Sequence, residues 1–283
     1  TLSYLPESLG KLIKMNKVPV VVLLNHGHYL NAPFWDFRQY RKVPFYSTMK
    51  QILTAEQIEE MTADEINEVI REEMYYDDHR WQKENNIRIT EDFRADGLNK
   101  VLYKCPHCMA EGKTVGKGIY LTCEECGKVW EYTELGELKA LDGETEFSHI
   151  PDWYEWEREC VRQEILAGTY KYEETLPVYT LPGVEYIPIG EATVTHDFEN
   201  GFVIEGSYNG HDYKIQRQTK TLYTLHNEFA FKKLGKVDCF DVSVKDNSFY
   251  CIPKQKDVVT KLMLATEEAY KIATMPKVST KAE

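Results

Sequence analysis

Two pairs of cysteines, Cys105-Pro106-His107-Cys108 and Cys123-Glu124-Glu125-Cys126, stand fourteen residues apart. No other feature limits the folds open to this chain so tightly. A two-residue gap lets both sulfurs of a tight turn face one ion, and two such turns at this separation can hold a tetrahedral zinc ion through thiolates alone. Gly127 follows the second pair, where a turn often needs a positive φ that glycine adopts at no steric cost. The connection from Met109 to Thr122 holds Gly112, Gly116 and Gly118 and ends in the strand-like Ile119-Tyr120-Leu121. The expectation is a zinc ribbon over residues 98–133, two hairpin turns pinned by metal. The competing readings are two disulfides, or thiols that never meet. His107 could replace a neighbouring cysteine, but it sits inside the turn, so Cys105, Cys108, Cys123 and Cys126 are the expected ligands. Four protein ligands would leave no position for water or substrate, which makes the expected zinc structural.

The chain has 283 residues, enough for two domains and a small third module. The remaining cysteines, Cys160, Cys239 and Cys251, match no framework, and this usage points to a reducing, cytoplasmic setting. No segment approaches the roughly 20 apolar residues of a spanning helix. The net charge of −12 is uneven: residues 1–50 carry seven basic and two acidic side chains, whereas 52–96 carry fourteen acidic and five basic. That balance argues against nucleic acid as a partner, since its phosphates need a basic surface. The basic set Lys11, Lys14, Lys17, Arg38, Arg41 and Lys42 reads as a solvated face, with peripheral contact to an anionic membrane surface, or to a phosphorylated substrate, as the other reading.

Residues 5–15 have helical spacing, with Leu5, Leu9, Leu12 and Ile13 on one face. Val18 to Leu24 reads as a strand apolar on both faces, the kind buried in a parallel sheet, followed by an Asn25-to-Tyr29 loop where such sheets place ligands. Thr54 with Gln57 and Thr62 with Glu65 fit capping boxes, which predicts two short helices over 52–75. A further helix is expected from an Asp152 N-cap to Ala167, before Gly168. Beyond residue 170, alternating segments separated by Asn200-Gly201, Asn209-Gly210 and Asp246-Asn247 predict six or seven strands and then a helix over 257–273. The fold class is therefore α+β and multi-domain. It runs as an α/β segment with helical extension (1–97), the ribbon (98–133), a helical linker (134–170), and an antiparallel β domain with a C-terminal helix (171–283). Strands capped by one such helix are similar in topology to the pleckstrin-homology-like superfold, which many functions share.

Several stretches carry a family resemblance. They are Leu5-Pro6-Glu7-Ser8-Leu9-Gly10-Lys11 running into Val18-Pro19-Val20-Val21, and His26-Gly27-His28-Tyr29-Leu30-Asn31-Ala32-Pro33-Phe34-Trp35. To these add Tyr76-Asp77-Asp78 with Trp81-Gln82-Lys83-Glu84-Asn85, and Arg94-Ala95-Asp96-Gly97-Leu98 with Val101-Leu102-Tyr103-Lys104-Cys105. They resemble a bacterial branch of the 1-acylglycerol-3-phosphate (lysophospholipid) acyltransferase-like proteins, over about residues 1–170, and the Val-Pro-Val piece resembles the last of that family's sequence blocks. The resemblance implies an activity that moves an acyl group from a thioester donor to a lysophospholipid-type acceptor. It also implies that the catalytic His-x4-Asp motif and a phosphate-binding block lie upstream of Thr1, so that this chain is a C-terminal part, inactive alone, and its own catalytic residues are unknown. His26 with Asn31 imitates the motif by spacing, but asparagine lacks the charge that stabilises imidazolium. His26 and His28 are expected at a pocket rim or in loop hydrogen bonds.

The alternative reading is non-enzymatic, a ribbon and β domain that bind a protein or lipid partner. Asp77, Asp78 and His79 could be taken for an acid/base cluster, but a hydrated helix end accounts for them. Trp153 and Trp156, three apart on a helix, could form a stacking platform, or anchor a core.

Overall fold

A computed structural model describes residues 5–36 and 39–274; Thr1 and Arg38 lie outside the described residues. The first unit runs α1 (Ser8–Asn16), β1 (Val20–His26), α2 (His28–Asn31), β2 (Tyr46–Leu53), α3 (Ala55–Glu60), α4 (Ala63–Met74) and α5 (Asp78–Glu84). Both predicted capping boxes are present. Gln57 N and Glu65 N donate to Thr54 and Thr62 Oγ1, and each glutamine or glutamate side chain returns the bond to its threonine amide. Ile58, Ile66 and Ile70 then pack with Leu53, Leu9 and Ile13. On α1 the predicted stripe is narrower than expected, because Leu12 is exposed and the buried residue is Gly10. A Cβ there would stand 2.1 Å from the Ala63 carbonyl oxygen, so glycine permits the approach of α4, sealed where Gly10 N donates to Asn67 Oδ1 at 2.8 Å.

The β1 strand does not lie in a parallel sheet. Among the described residues it pairs antiparallel with β2 alone, with Leu23 opposite Met49. The apolar-on-both-faces reading of its sequence stands, yet only one face is covered. Val22 is buried on that side, and Val21, Leu23 and Met49 are 49%, 59% and 77% exposed on the other. Arg41, read as part of a solvated face, is buried. It pairs with Asp36 at 3.2 Å and donates to the Arg94 carbonyl oxygen.

The ribbon sheet has order β3-β4-β5-β6, with β3 (Thr114–Lys117), β4 (Tyr120–Cys123), β5 (Val129–Tyr132) and β6 (Leu138–Ala140). It thus runs past residue 133, and the segment expected to be a helical linker supplies a strand first. Helix α6 (Ile150–Leu166) starts two residues before the expected Asp152 cap. Pro151 in its first turn fixes a helical φ without costing a needed amide. The β domain is one antiparallel seven-stranded sheet of β7 (Tyr172–Thr180), β8 (Ile187–Asp197), β9 (Gly201–Tyr208), β10 (His211–Arg217), β11 (His226–Phe231), β12 (Val237–Val244) and β13 (Asn247–Cys251). Their order is β10-β9-β8-β7-β13-β12-β11, two meanders joined where β7 meets β13. The last helix, α7 (Val258–Thr274), buries Val258, Leu262, Ala265 and Ala269 along one side, with Ile272 half-buried beyond them.

Ribbon and β domain share one core. A continuous apolar cluster runs from Cys105, Cys123 and Trp130 through Trp153 to Leu176, Phe202 and Phe240. Among the described residues no helix is long and apolar enough to cross a membrane.

Candidate metal centre and junction pocket

The two cysteine turns are built alike. Met109 N and Gly127 N donate to the carbonyls of Cys105 and Cys123 at 2.9 and 2.8 Å, and Cys105 N and Cys123 N donate to Ala110 O and Lys128 O, each at 2.9 Å. Met109 (φ 67°) and Gly127 (φ 76°) occupy matching left-handed positions, the second as the sequence predicts. The paired turns bring all four sulfurs within 4.8 Å of one another, with Cys105 to Cys126 at 3.9 Å and Cys108 to Cys123 at 3.7 Å. Sulfurs about 2.3 Å from a tetrahedral centre stand about 3.8 Å apart, so the donor set fits a metal ion. All seven cysteines are unbridged, which removes the two-disulfide reading. Burial pushes the Cys105 thiol up, and the amides of Cys108 and His107 act against that by hydrogen bonding to the sulfur. His107 turns away from the cluster, toward Glu146 at 3.2 Å.

The first unit, α6 and the β domain meet around a second feature, a cavity of about 520 Å³. His28 lines it, as does Asn25; His26 does not, and instead makes a 2.9 Å hydrogen bond with Thr48 Oγ1 and stacks on Tyr46. His26 and Asn31 are not a dyad. The Asn31 amide donates to the Arg41 carbonyl.

Asp77, Asp78 and His79 form a helix end, but not a hydrated one. Asp77 caps α5 by accepting from the amides of His79 and Arg80, and its other oxygen meets His149 Nε2 at 2.7 Å. Burial works to raise the Asp77 carboxyl, yet the His149 and Arg80 hydrogen bonds hold it down at about 2. Asp78, 8% exposed, accepts from Gly27 N at 2.8 Å and Tyr29 N at 3.2 Å. His79 is buried, with neither ring nitrogen bonded to a protein group. Sequence reasoning missed His149, Trp35 and Asn227 on or beside this pocket, and no local pattern marks them. Trp153 is a core anchor, fully buried with its ring edge-on to Trp130 at 5.0 Å, and Trp156 packs half-buried against Phe147.

Desolvation holds two histidines neutral, His79 at about 4 and His196, stacked on Phe202 and bonded to the Tyr170 hydroxyl, at about 3. In the unfolded chain both titrate near about 6.5. Below that pH the unfolded state takes up protons that the fold refuses, so stability is complete above about 6.5 and declines as pH falls toward the folded values, by roughly 1.4 kcal/mol per pH unit for each ring. Urea denaturation at pH 7 and at pH 5 should therefore show a lower midpoint at pH 5. A midpoint constant across that window would mean both rings accept their proton in the folded state.

Comparison of the chain with protein-family models, with curated proteins and with solved structures gives no match.

Proposed function

We propose that this chain is the C-terminal part of a bacterial 1-acylglycerol-3-phosphate acyltransferase-like protein that acts in the cytoplasm at the inner membrane face. In this reading the whole protein passes an acyl group from a thioester to a lysophospholipid-type acceptor. The upstream His-x4-Asp supplies the base, and the described chain supplies a remnant of the α/β domain, a ribbon closed by a structural zinc ion, and a pleckstrin-homology-like β domain. One observation carries it: β1 is built for burial on both faces, and the face holding Val21, Leu23 and Met49 is left largely exposed by the described residues. That strand is the piece whose sequence resembles the last block of the family, where helices packed on the α/β sheet would cover its face. Full burial of a side chain of this size is worth roughly 1.5–3 kcal/mol, of which these residues realise only part. Zinc is the metal of choice for a closed tetrahedral site of thiolates.

The test compares the product of the whole reading frame with this chain alone, using an acyl thioester and lysophosphatidate and following phosphatidate formation. The whole protein should form product, lose that activity when the upstream histidine is changed to alanine, and leave the chain alone inert. An upstream sequence without His-x4-Asp, or turnover by the chain alone, would refute the reading.

A further inference from the structure

We propose that the junction pocket binds an organic ammonium cation, with its positive charge against Asp78 and the faces of the surrounding rings. This assignment does not depend on acyl transfer, because the pocket is formed by residues of this chain alone. Its wall carries six large rings, Tyr29, Phe34, Trp35, Tyr75, Tyr76 and Tyr154. They brace one another, with Tyr29 edge-on to Trp35 at 5.3 Å and Phe34 edge-on to Trp35 at 5.6 Å. Aromatic walls of this kind attract alkylammonium groups through the negative potential of the ring faces.

The charges point the same way. Among the described residues no lysine or arginine lines the cavity, while Asp77 and Asp78 do. Asp77 has its partner in His149. Asp78 has none: among the described residues it forms no ion pair, and the backbone amides of Gly27 and Tyr29 donate to it. A buried carboxylate without a counter-charge is costly, and an entering cation would supply that charge. A phosphate or carboxylate ligand would meet the opposite field.

Three further groups argue against a purely apolar occupant. His79, neutral and buried in the wall, offers one acceptor and one N–H, and neither has a protein partner. Trp35 Nε1 and Asn227 Nδ2 are donors in the same state. An alkyl chain would leave all of them unpaired, with nothing to offset the loss of their hydration. An ammonium that also bears an oxygen can satisfy them. Two sources share this chemistry, a free amino alcohol and the headgroup of a zwitterionic phospholipid.

The experiment follows tryptophan fluorescence, with Trp35 as reporter, and calorimetry of the whole chain titrated with choline, with ethanolamine and with 3,3-dimethylbutanol, the uncharged isostere of choline. Vesicles of phosphatidylcholine and of phosphatidylglycerol form the second arm. The expected result is saturable binding of a cation at least about tenfold tighter than the isostere, a difference of about 1.4 kcal/mol. Binding of phosphatidylcholine vesicles but not free choline would place the cation on a lipid. Asp78→Asn should weaken binding by about tenfold, with retained metal content reporting that the variant is folded. The isostere comparison on the unaltered protein stands even if that variant fails to fold. Equal binding of choline and the isostere, or no binding of any cation or of phosphatidylcholine, would overturn the assignment.

Discussion

Removing the metal should destabilise the whole chain rather than loosen its tip. Structural zinc binding supplies folding free energy directly, because its thiolate site does not exist in the unfolded state. Here the consequence spreads, since Cys105 and Cys123 belong to the same apolar cluster as Trp130, Trp153 and the inner face of the seven-stranded sheet. Cys123→Ser removes one ligand and places a hydroxyl at a fully buried position. We expect metal content to fall from about one equivalent toward none, with a loss above about 4 kcal/mol and a Tm lower by roughly 10 °C. Elemental analysis and thermal denaturation monitored by circular dichroism read both. Chelation of the unaltered protein should reproduce the shift. A Cys123→Ser chain with a full equivalent of zinc would refute the four-thiolate site.

The features that were legible in the sequence are those fixed by neighbours along the chain. The cysteine turns are local geometry, repeated down to the matching positive φ at Met109 and Gly127. The capping boxes at Thr54 and Thr62 close within three residues, and Asn209-Gly210 gives the hairpin between β9 and β10 its turn. What the sequence hid depends on distant partners. The apolar pattern of β1 states that two faces want burial, but not that β2 would be its antiparallel neighbour. Helix α6 starts ahead of the expected Asp152 cap, and His149 at its N-cap position gives its ring to Asp77, seventy-two positions earlier, and not to a helix amide. The same contact turned an expected hydrated helix end into a pocket wall. Burial of charge was equally invisible: Arg41 looks like its solvated neighbours in sequence, and only Asp36 and the Arg94 carbonyl explain its interior position.

Trp153→Ala should cost about 3–5 kcal/mol, the range for truncating a large aromatic side chain in a packed core. Trp153 has no exposed surface and lies edge-on to Trp130, so its loss opens a void between α6 and the ribbon. Its Nε1 also donates to the Lys104 carbonyl at 3.0 Å, while one turn on Glu157 accepts from Lys104 N at 2.8 Å. Together these bonds hold the residue immediately before Cys105, so α6 positions the first metal turn by its backbone. Trp153→Phe separates the contributions. It keeps much of the ring packing and leaves the Lys104 carbonyl unpaired, for an expected loss of about 1–3 kcal/mol. Trp156→Ala, on a half-buried ring that packs against Phe147, should cost less than Trp153→Ala. Urea denaturation of the three variants gives the order, and the rate of metal transfer to a chelator gives the coupling, which should be faster in both Trp153 variants than in Trp156→Ala. Equal metal release from all three would show that the metal turn holds its shape without α6, and that the helix contributes packing alone.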